Sequence, residues 1–70
     1  MDKEIGEKIV ARLMALSEEA NKLTGITIDM GQVEEARELR RSLANILVEI
    51  DEMLRMVLRK HPDLDPDKET

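Results

Sequence analysis

The chain has 70 residues, no cysteine, no aromatic residue and a formal net charge of −5 at pH 7. These values exclude a disulfide scaffold, a thiolate metal site and the stacking of nucleic-acid bases on aromatic side chains, and they disfavour contacts to a phosphate backbone. Since a domain this short often gains its stability by association, a small interaction module is the class that remains.

The N-terminal segment and the apolar runs give no targeting or membrane signal. Residues 1–8, MDKEIGEK, are charged and lack the apolar stretch of a secretory signal. Runs such as Ile46-Leu47-Val48 are too short to cross a bilayer. We therefore expect a cytoplasmic protein without a membrane partner.

The first periodic segment predicts a helix over about 3–23. Its apolar residues recur at spacings of three and four, as along one face of a helix. They are Ile9, Leu13, Leu16, Ala20 and Leu23. Gly6 falls on the same stripe and indicates close approach of a second helix, since glycine costs ~1 kcal/mol in a helix interior relative to alanine. Gly25 can take the left-handed conformation that ends a helix, so we expect the helix to end before it.

A second helix is predicted over about 30–60. Asp29 is a natural N-cap, and Gln32 three residues later can complete a capping box. The apolar residues that follow form an unbroken stripe: Ala36, Leu39, Leu43, Ile46, Ile50, Met53 and Val57. Leu47 and Leu54 widen this stripe toward the three-sevenths face of a helix in a bundle. The helix should end before Pro62, because the residue that precedes proline avoids the α conformation.

The loop of roughly six residues between these segments predicts an antiparallel hairpin of two helices, so the fold class is all-α. Residues 1–61 are expected to form this hairpin domain. Residues 62–70 are rich in acidic side chains and are expected to form a disordered, flexible tail.

The two predicted helices differ in length, about 30 Å for the first against about 45 Å for the second at 1.5 Å per residue. In such a hairpin Gly6 should lie near Ile50. The end of the second helix should then extend past the first, with the apolar residues Met56, Val57 and Leu58 uncovered.

The second helix carries more apolar surface than one neighbouring helix can cover. An exposed apolar patch of this kind usually marks an interaction surface. A second copy of the chain would cover it in an isologous dimer, a four-helix bundle. The chain itself is therefore the expected partner, and another protein could bind at the C-terminal end of the second helix. The expected interaction surface comprises Ile46, Leu47, Ile50, Met53, Leu54, Met56, Val57 and Leu58.

Residues with catalytic or metal-binding chemistry are few and scattered. His61 is the single histidine, whereas a zinc site needs three or four ligands. Asp63, Asp65 and Asp67 alternate like the start of a calcium-binding loop. Lys68 stands where that loop needs a glycine. Nothing in the sequence places a base beside a serine or threonine. We therefore expect no enzymatic activity, no metal and no cofactor.

The tripeptide His61-Pro62-Asp63 resembles the signature of the J-domain co-chaperones of the Hsp70 system. Arg59 and Lys60 precede it, as basic residues precede the signature in that family. The resemblance implies an interaction with an Hsp70 chaperone and stimulation of its ATPase. In the family the tripeptide lies in a loop between two long antiparallel helices, whereas seven residues follow it here, too few for the second of those helices.

Two basic clusters on the second helix suggest an alternative function, a small nucleic-acid-binding regulator built on the same dimer. The clusters are Arg37, Arg40 and Arg41, and Arg55, Arg59 and Lys60. Acidic residues are interleaved with both, so ion pairing along the helix accounts for them and nucleic acid is the less favoured partner. Arg40 falls on the apolar stripe and is expected to reach the edge of the bundle and pair with an acid such as Glu19.

Overall fold

The computed structural model describes residues 1–66 and shows a helical hairpin. Helix α1 spans Lys3–Asp29, helix α2 spans Glu34–Lys60, and one turn of 3-10 helix, which we call the terminal turn, follows at Pro62–Leu64. The two long helices pack against each other, and the described residues contain no strand. The molecule measures 44 × 20 × 17 Å. The prediction of an all-α hairpin of two helices is confirmed.

Each helix contributes a row of residues at alternating spacings of four and three, the pattern of a coiled coil. We call the interface formed by these two rows the seam. On α1 the row consists of Gly6, Val10, Leu13, Ser17, Ala20, Thr24 and Thr27. On α2 it consists of Ala36, Arg40, Leu43, Leu47, Ile50, Leu54 and Val57. Every one of these residues is buried or half-buried.

Small side chains of α1 lie opposite larger ones of α2 along much of the seam. At one end, a Cβ atom on Gly6 would lie 3.5 Å from Cγ1 of Val57. In the middle, Ala20 of α1 and Leu43 of α2 line the same groove. Side chains of alternating size interdigitate and let two helices approach closely. At Gly6 the tighter contacts of such a Cβ atom would be 3.2 Å to Cδ2 of His61 and 3.2 Å to Cδ1 of Leu64, so the residues that follow α2 account for this glycine in spite of its cost to the helix.

The relative position of the helices differs from the sequence prediction. Gly6 lies beside Val57 and not beside Ile50. Both helices have 27 residues, so each is about 40 Å long at 1.5 Å per residue. Among the described residues α2 therefore does not project beyond α1, and Val57 is only 2% exposed. The predicted overhang was wrong because the first helix is longer than Gly25 suggested.

Helix α1 continues past Gly25 to Asp29. Thr24 Oγ1 donates a hydrogen bond to the carbonyl of Ala20 over 3.0 Å, and Thr27 Oγ1 donates to the carbonyl of Thr24 over 2.7 Å. Thr27 is fully buried in the seam, and its hydroxyl is satisfied within its own helix. Tertiary burial of this turn outweighs the local helix-ending signal of Gly25, on which the sequence prediction depended.

The connection at 30–33 has four residues, and glycine makes its turn. Gly31 has φ = 81°, in the left-handed region that glycine adopts without strain. Its N–H donates to the carbonyl of Ile28 over 3.1 Å. Asp29 is the last residue of α1, and Val33 is the N-cap of α2 without a side-chain hydrogen bond. The predicted capping box of Asp29 and Gln32 was wrong, because the chain reverses direction two residues after Asp29 and α2 begins only at residue 34.

Alanine substitutions at Gly25 and Gly31 should have opposite effects on stability. Gly25→Ala should raise the free energy of unfolding by roughly 0.5–1 kcal/mol, because it is in a helix interior and no atom outside its own turn lies within 4 Å of the new Cβ. Gly31→Ala should lower it by roughly 1–2 kcal/mol, because its φ strains an L-residue. Urea titrations of both variants measure these changes. A helix that ended at Gly25 would make the first substitution destabilising.

The residues after α2 fold back onto the start of α1. His61 Nε2 donates to the carbonyl of Met1 over 3.1 Å, and Lys3 Nζ lies 2.5 Å from Asp63 Oδ2. A Cβ atom on Gly6 would lie 3.2 Å from Cδ1 of Leu64. The terminal turn thus packs against the hairpin, so the predicted tail does not begin at residue 62. Residues 67–70 of that tail lie outside the described residues, and its disorder stays a prediction.

Candidate interaction surface

The hairpin buries few large apolar side chains and exposes many. Within the described residues five are buried, all of them in the seam: Val10, Leu13, Leu43, Ile50 and Val57. Fourteen others are at least 38% exposed. Because burial of apolar area supplies most of the free energy of folding, this distribution leaves the isolated hairpin with a thin core and a large apolar surface.

Six apolar residues form two parallel rows on one side of the hairpin, which we call the open face. They are Ile9, Leu16 and Leu23 on α1, and Leu39, Ile46 and Met53 on α2. Within each row they are seven residues apart, which is close to two helical turns. Leu16, Leu23 and Ile46 line a single groove of about 400 Å³, so the two rows lie on the same side of the molecule. Ile9 is half-buried, and the other five are 43–54% exposed.

The groove on the open face has an apolar floor and a partly charged rim. Ala20 and Leu43 of the seam lie at its floor, while Glu19, Lys22 and Ile26 of α1 border it. The Lys22 ammonium lies 3.3 Å from a carboxylate oxygen of Glu19. An apolar centre with a polar rim is the usual anatomy of a protein–protein interface.

The opposite side of the hairpin is a mixed surface. The equivalent rows there are Glu7, Met14, Asn21 and Ile28 on α1, and Arg37, Ala44, Asp51 and Leu58 on α2. Polar and apolar residues alternate in both rows, and Asp51 pairs with Arg55 over 3.0 Å. Among the described residues, the open face is therefore the side with continuous apolar rows from both helices.

The structure divides the predicted interaction surface between the seam and the outside of the hairpin. Ile50 and Val57 are 7% and 2% exposed, so their place is in the seam rather than on an outer surface. Ile46 and Met53 lie on the open face and are 49% and 43% exposed. A role for these two residues in binding stays a prediction, and their position is compatible with it.

The other four predicted residues lie in the seam or on the outside of α2. Leu47 and Leu54 are half-buried seam residues. Met56 is 56% exposed and Leu58 is half-buried. The two line a shallow depression of about 620 Å³ together with Glu52, Arg55 and Arg59. All of these lining residues belong to α2, so the depression has no wall from a second helix. Binding of another protein at this end of α2 stays a prediction.

Sequence reasoning placed Leu16, Leu23 and Leu39 on the buried stripes, whereas the structure exposes them on the open face. The residues that it missed are the small and polar members of the seam on α1, notably Ser17 and Thr27. Apolar periodicity does not detect such residues. The signal that could have found them is their coiled-coil spacing, with Gly6, Val10, Leu13 and Ala20 in the same row.

Several candidate residues for other chemistry form bonds within the hairpin, among them Arg40, His61 and Asp63. Within residues 1–66, no group of three or more His, Cys, Asp or Glu side chains could hold a metal ion. Arg40 Nε donates to the carbonyl of Ala36 over 3.3 Å, while the expected partner, Glu19, pairs with Lys22. The predicted Arg40–Glu19 pair was wrong because the half-buried arginine finds an acceptor on its own helix.

The ion pair between the two ends of the chain shifts the pKa values of both partners. The hydrogen bond from Lys3 holds the pKa of Asp63 below its usual value, and the same bond raises the pKa of Lys3. Both side chains are solvent-exposed, so the pair adds little to stability. Together with the bond from His61 to Met1, it ties the outer residues of the His61-Pro62-Asp63 tripeptide to the chain's own N-terminus.

Comparison of the chain with protein-family models, with curated proteins and with solved structures gave no match. Neither helix within residues 1–66 combines the length and the apolarity that crossing a bilayer requires.

Proposed function

We propose that this chain is a non-enzymatic protein–protein interaction module whose working form is a homodimer, a four-helix bundle in which the open faces of two copies meet. The observation that carries the proposal is the pair of apolar rows on the open face, centred on Leu16 and Ile46. A second copy presents rows of the same length and composition, so two-fold symmetry covers all of them at once.

The accessible area of the hairpin supports an obligate partner. The chain exposes 5602 Å², whereas a compact monomer of this mass exposes roughly 4,450 Å². The excess of about 1,150 Å² exceeds the roughly 800 Å² that each partner buries in a standard protein interface. The radius of gyration is 14.8 Å, against about 11 Å for a compact chain of this length.

The repeat of the two helices supports a bundle as the form of the assembly. In both helices the seam and the open face together occupy three of every seven positions. This is the width of the apolar face on the helices of a four-helix bundle. The hairpin alone covers the two seam positions of each repeat. The third position, that of the open-face residues, becomes buried when another layer of helices lies on the open face.

The direct test is the mass of the purified chain in solution together with its thermal stability. Light scattering should give twice the chain mass of 8.0 kDa. Melts followed by circular dichroism should shift to higher temperature by several degrees between low and high micromolar protein, because dimerisation stabilises the folded state by mass action. A mass of one chain at high micromolar concentration, with a melting temperature independent of concentration, would contradict the proposal.

A further inference from the structure

Two copies can bring their open faces together in two symmetric ways, and the choice between them depends on the proposed dimer. With the two-fold axis parallel to the helices, α1 of one copy lies on α2 of the other, and both loops are at the same end. With the axis perpendicular to the helices, α1 of one copy lies on α1 of the other and α2 lies on α2, and the loops are at opposite ends. Both arrangements make neighbouring helices antiparallel, as bundles allow. Because helix direction does not distinguish the two arrangements, we compare the charged residues that each one brings together at the edges of the open face.

The seam determines which residues of the two helices are level with each other. Gly6 lies beside Val57, and the four-residue loop joins Asp29 at the end of α1 to Glu34 at the start of α2. The residue numbers add to 63 in both pairs, so the same relation gives the level of any other residue. Arg12 is therefore level with residue 51 of α2. Glu49 is two residues from that level, which is about 3 Å along the helix axis.

Arg12 and Glu49 both lie on the outer rim of the open face. Arg12 lies seven residues before Glu19, which borders the groove. Glu49 lies three residues after Ile46 and four before Met53, so it follows the apolar row of α2. Both are exposed, and among the described residues neither takes part in an ion pair.

We propose that the two-fold axis of the dimer runs parallel to the helices, so that Arg12 of each copy pairs with Glu49 of the other. The contact occurs twice, once on each outer edge of the bundle. One row further from the groove, the same arrangement brings Lys8 of one copy to within three residues of the level of Glu52 of the other. Opposite charges on facing rims determine which arrangement forms more than they add affinity.

The perpendicular axis gives a poorer match of charge. When the helices overlap along their full length, Arg12 lies near Glu19 of the other copy, a carboxylate already engaged by Lys22. Lys8 then lies close to the level of Lys22 of the other copy. Near the middle of the contact between the two α2 helices, Glu49 of one copy lies about one helical turn from Glu49 of the other copy. These like charges oppose that arrangement.

Charge reversal tests the proposed pair. Arg12→Glu and Glu49→Arg should each raise the dimer Kd about tenfold, because a favourable contact becomes a repulsive one at two symmetric places. The double variant should return the Kd to within about twofold of the wild type. The effects should shrink in 1 M salt, where exposed charges are screened. Recovery by Arg12→Glu/Glu19→Arg, with Glu49→Arg neutral or strengthening, would overturn the proposal in favour of the perpendicular axis.

A distance measurement decides the same question without altering the rim. The chain has no cysteine, so Gln32→Cys in the loop can carry a single spin label. Pulsed dipolar spectroscopy should show labels within about 30 Å, because loops at one end are separated only by the width of a bundle with helices 8–10 Å apart. A dimer with labels about 40 Å or more apart, the length of a helix, would overturn the arrangement but not the dimer. A monomeric mass would overturn both.

Discussion

Leu16→Asp should abolish the dimer. The side chain is 54% exposed in the hairpin and lies in the middle of its row on the open face. In a two-fold dimer it is buried twice, so the loss of apolar burial alone costs about 4 kcal/mol and raises the Kd by about 10³. Burial of two unpaired carboxylates adds to this cost. Sedimentation equilibrium at micromolar protein should give the mass of one chain.

Met14→Asp is the matched control for this substitution. Met14 is two residues away on the same helix and is 43% exposed, but it lies on the mixed side of the hairpin. This variant should remain a dimer, with a Kd within about threefold of the wild type, since isolated exposed positions tolerate substitution. Circular dichroism shows whether each variant is helical. If both variants dissociate equally, or if neither does, the open face is not the dimer interface.

Ile50→Ala should cost about 2–5 kcal/mol of unfolding free energy per chain, the range for truncation of a large core side chain to alanine. Ile50 is 7% exposed in the hairpin, at the middle of the seam. A domain of this size has only about 3–5 kcal/mol to lose. The variant should therefore be largely unfolded at low micromolar protein. Urea titration followed by circular dichroism at a constant protein concentration measures the loss.

Val48→Ala is the control for the core substitution. Val48 is two residues away on α2, is 56% exposed, and lies outside both the seam and the open face. It should change the free energy of unfolding by less than about 0.5 kcal/mol. A loss below about 1 kcal/mol for Ile50→Ala would mean that Ile50 does not lie in a packed seam.

The features that could be predicted from the sequence are those that depend on one helix at a time. The wide apolar stripe of α2 predicted a helix, and its members Ala36, Leu43 and Ile50 are buried. Pro62 limited α2 to Lys60 because a proline restricts the residue before it.

The features that the sequence left undetermined depend on how the two helices meet. Gly25 and Asp29 carry the local signals of a helix end, yet the segment between them stays helical because Thr27 is buried in the seam. Because α1 is longer than predicted, the register between the two helices differs from the predicted one, and Gly6 lies beside Val57 rather than Ile50. Local propensities of about 1 kcal/mol per residue are too small to oppose tertiary packing.

The candidate site shows the same division between sequence and tertiary structure. The sequence alone determined that α1 is apolar on a broad face that includes both Leu13 and Leu16. Only the tertiary structure decided that Leu13 is buried while Leu16 is left on the open face. The reason is steric: the small side chains of Ser17 and Ala20 let α2 pack along their row, and the larger side chains of the neighbouring row are left for another surface to cover.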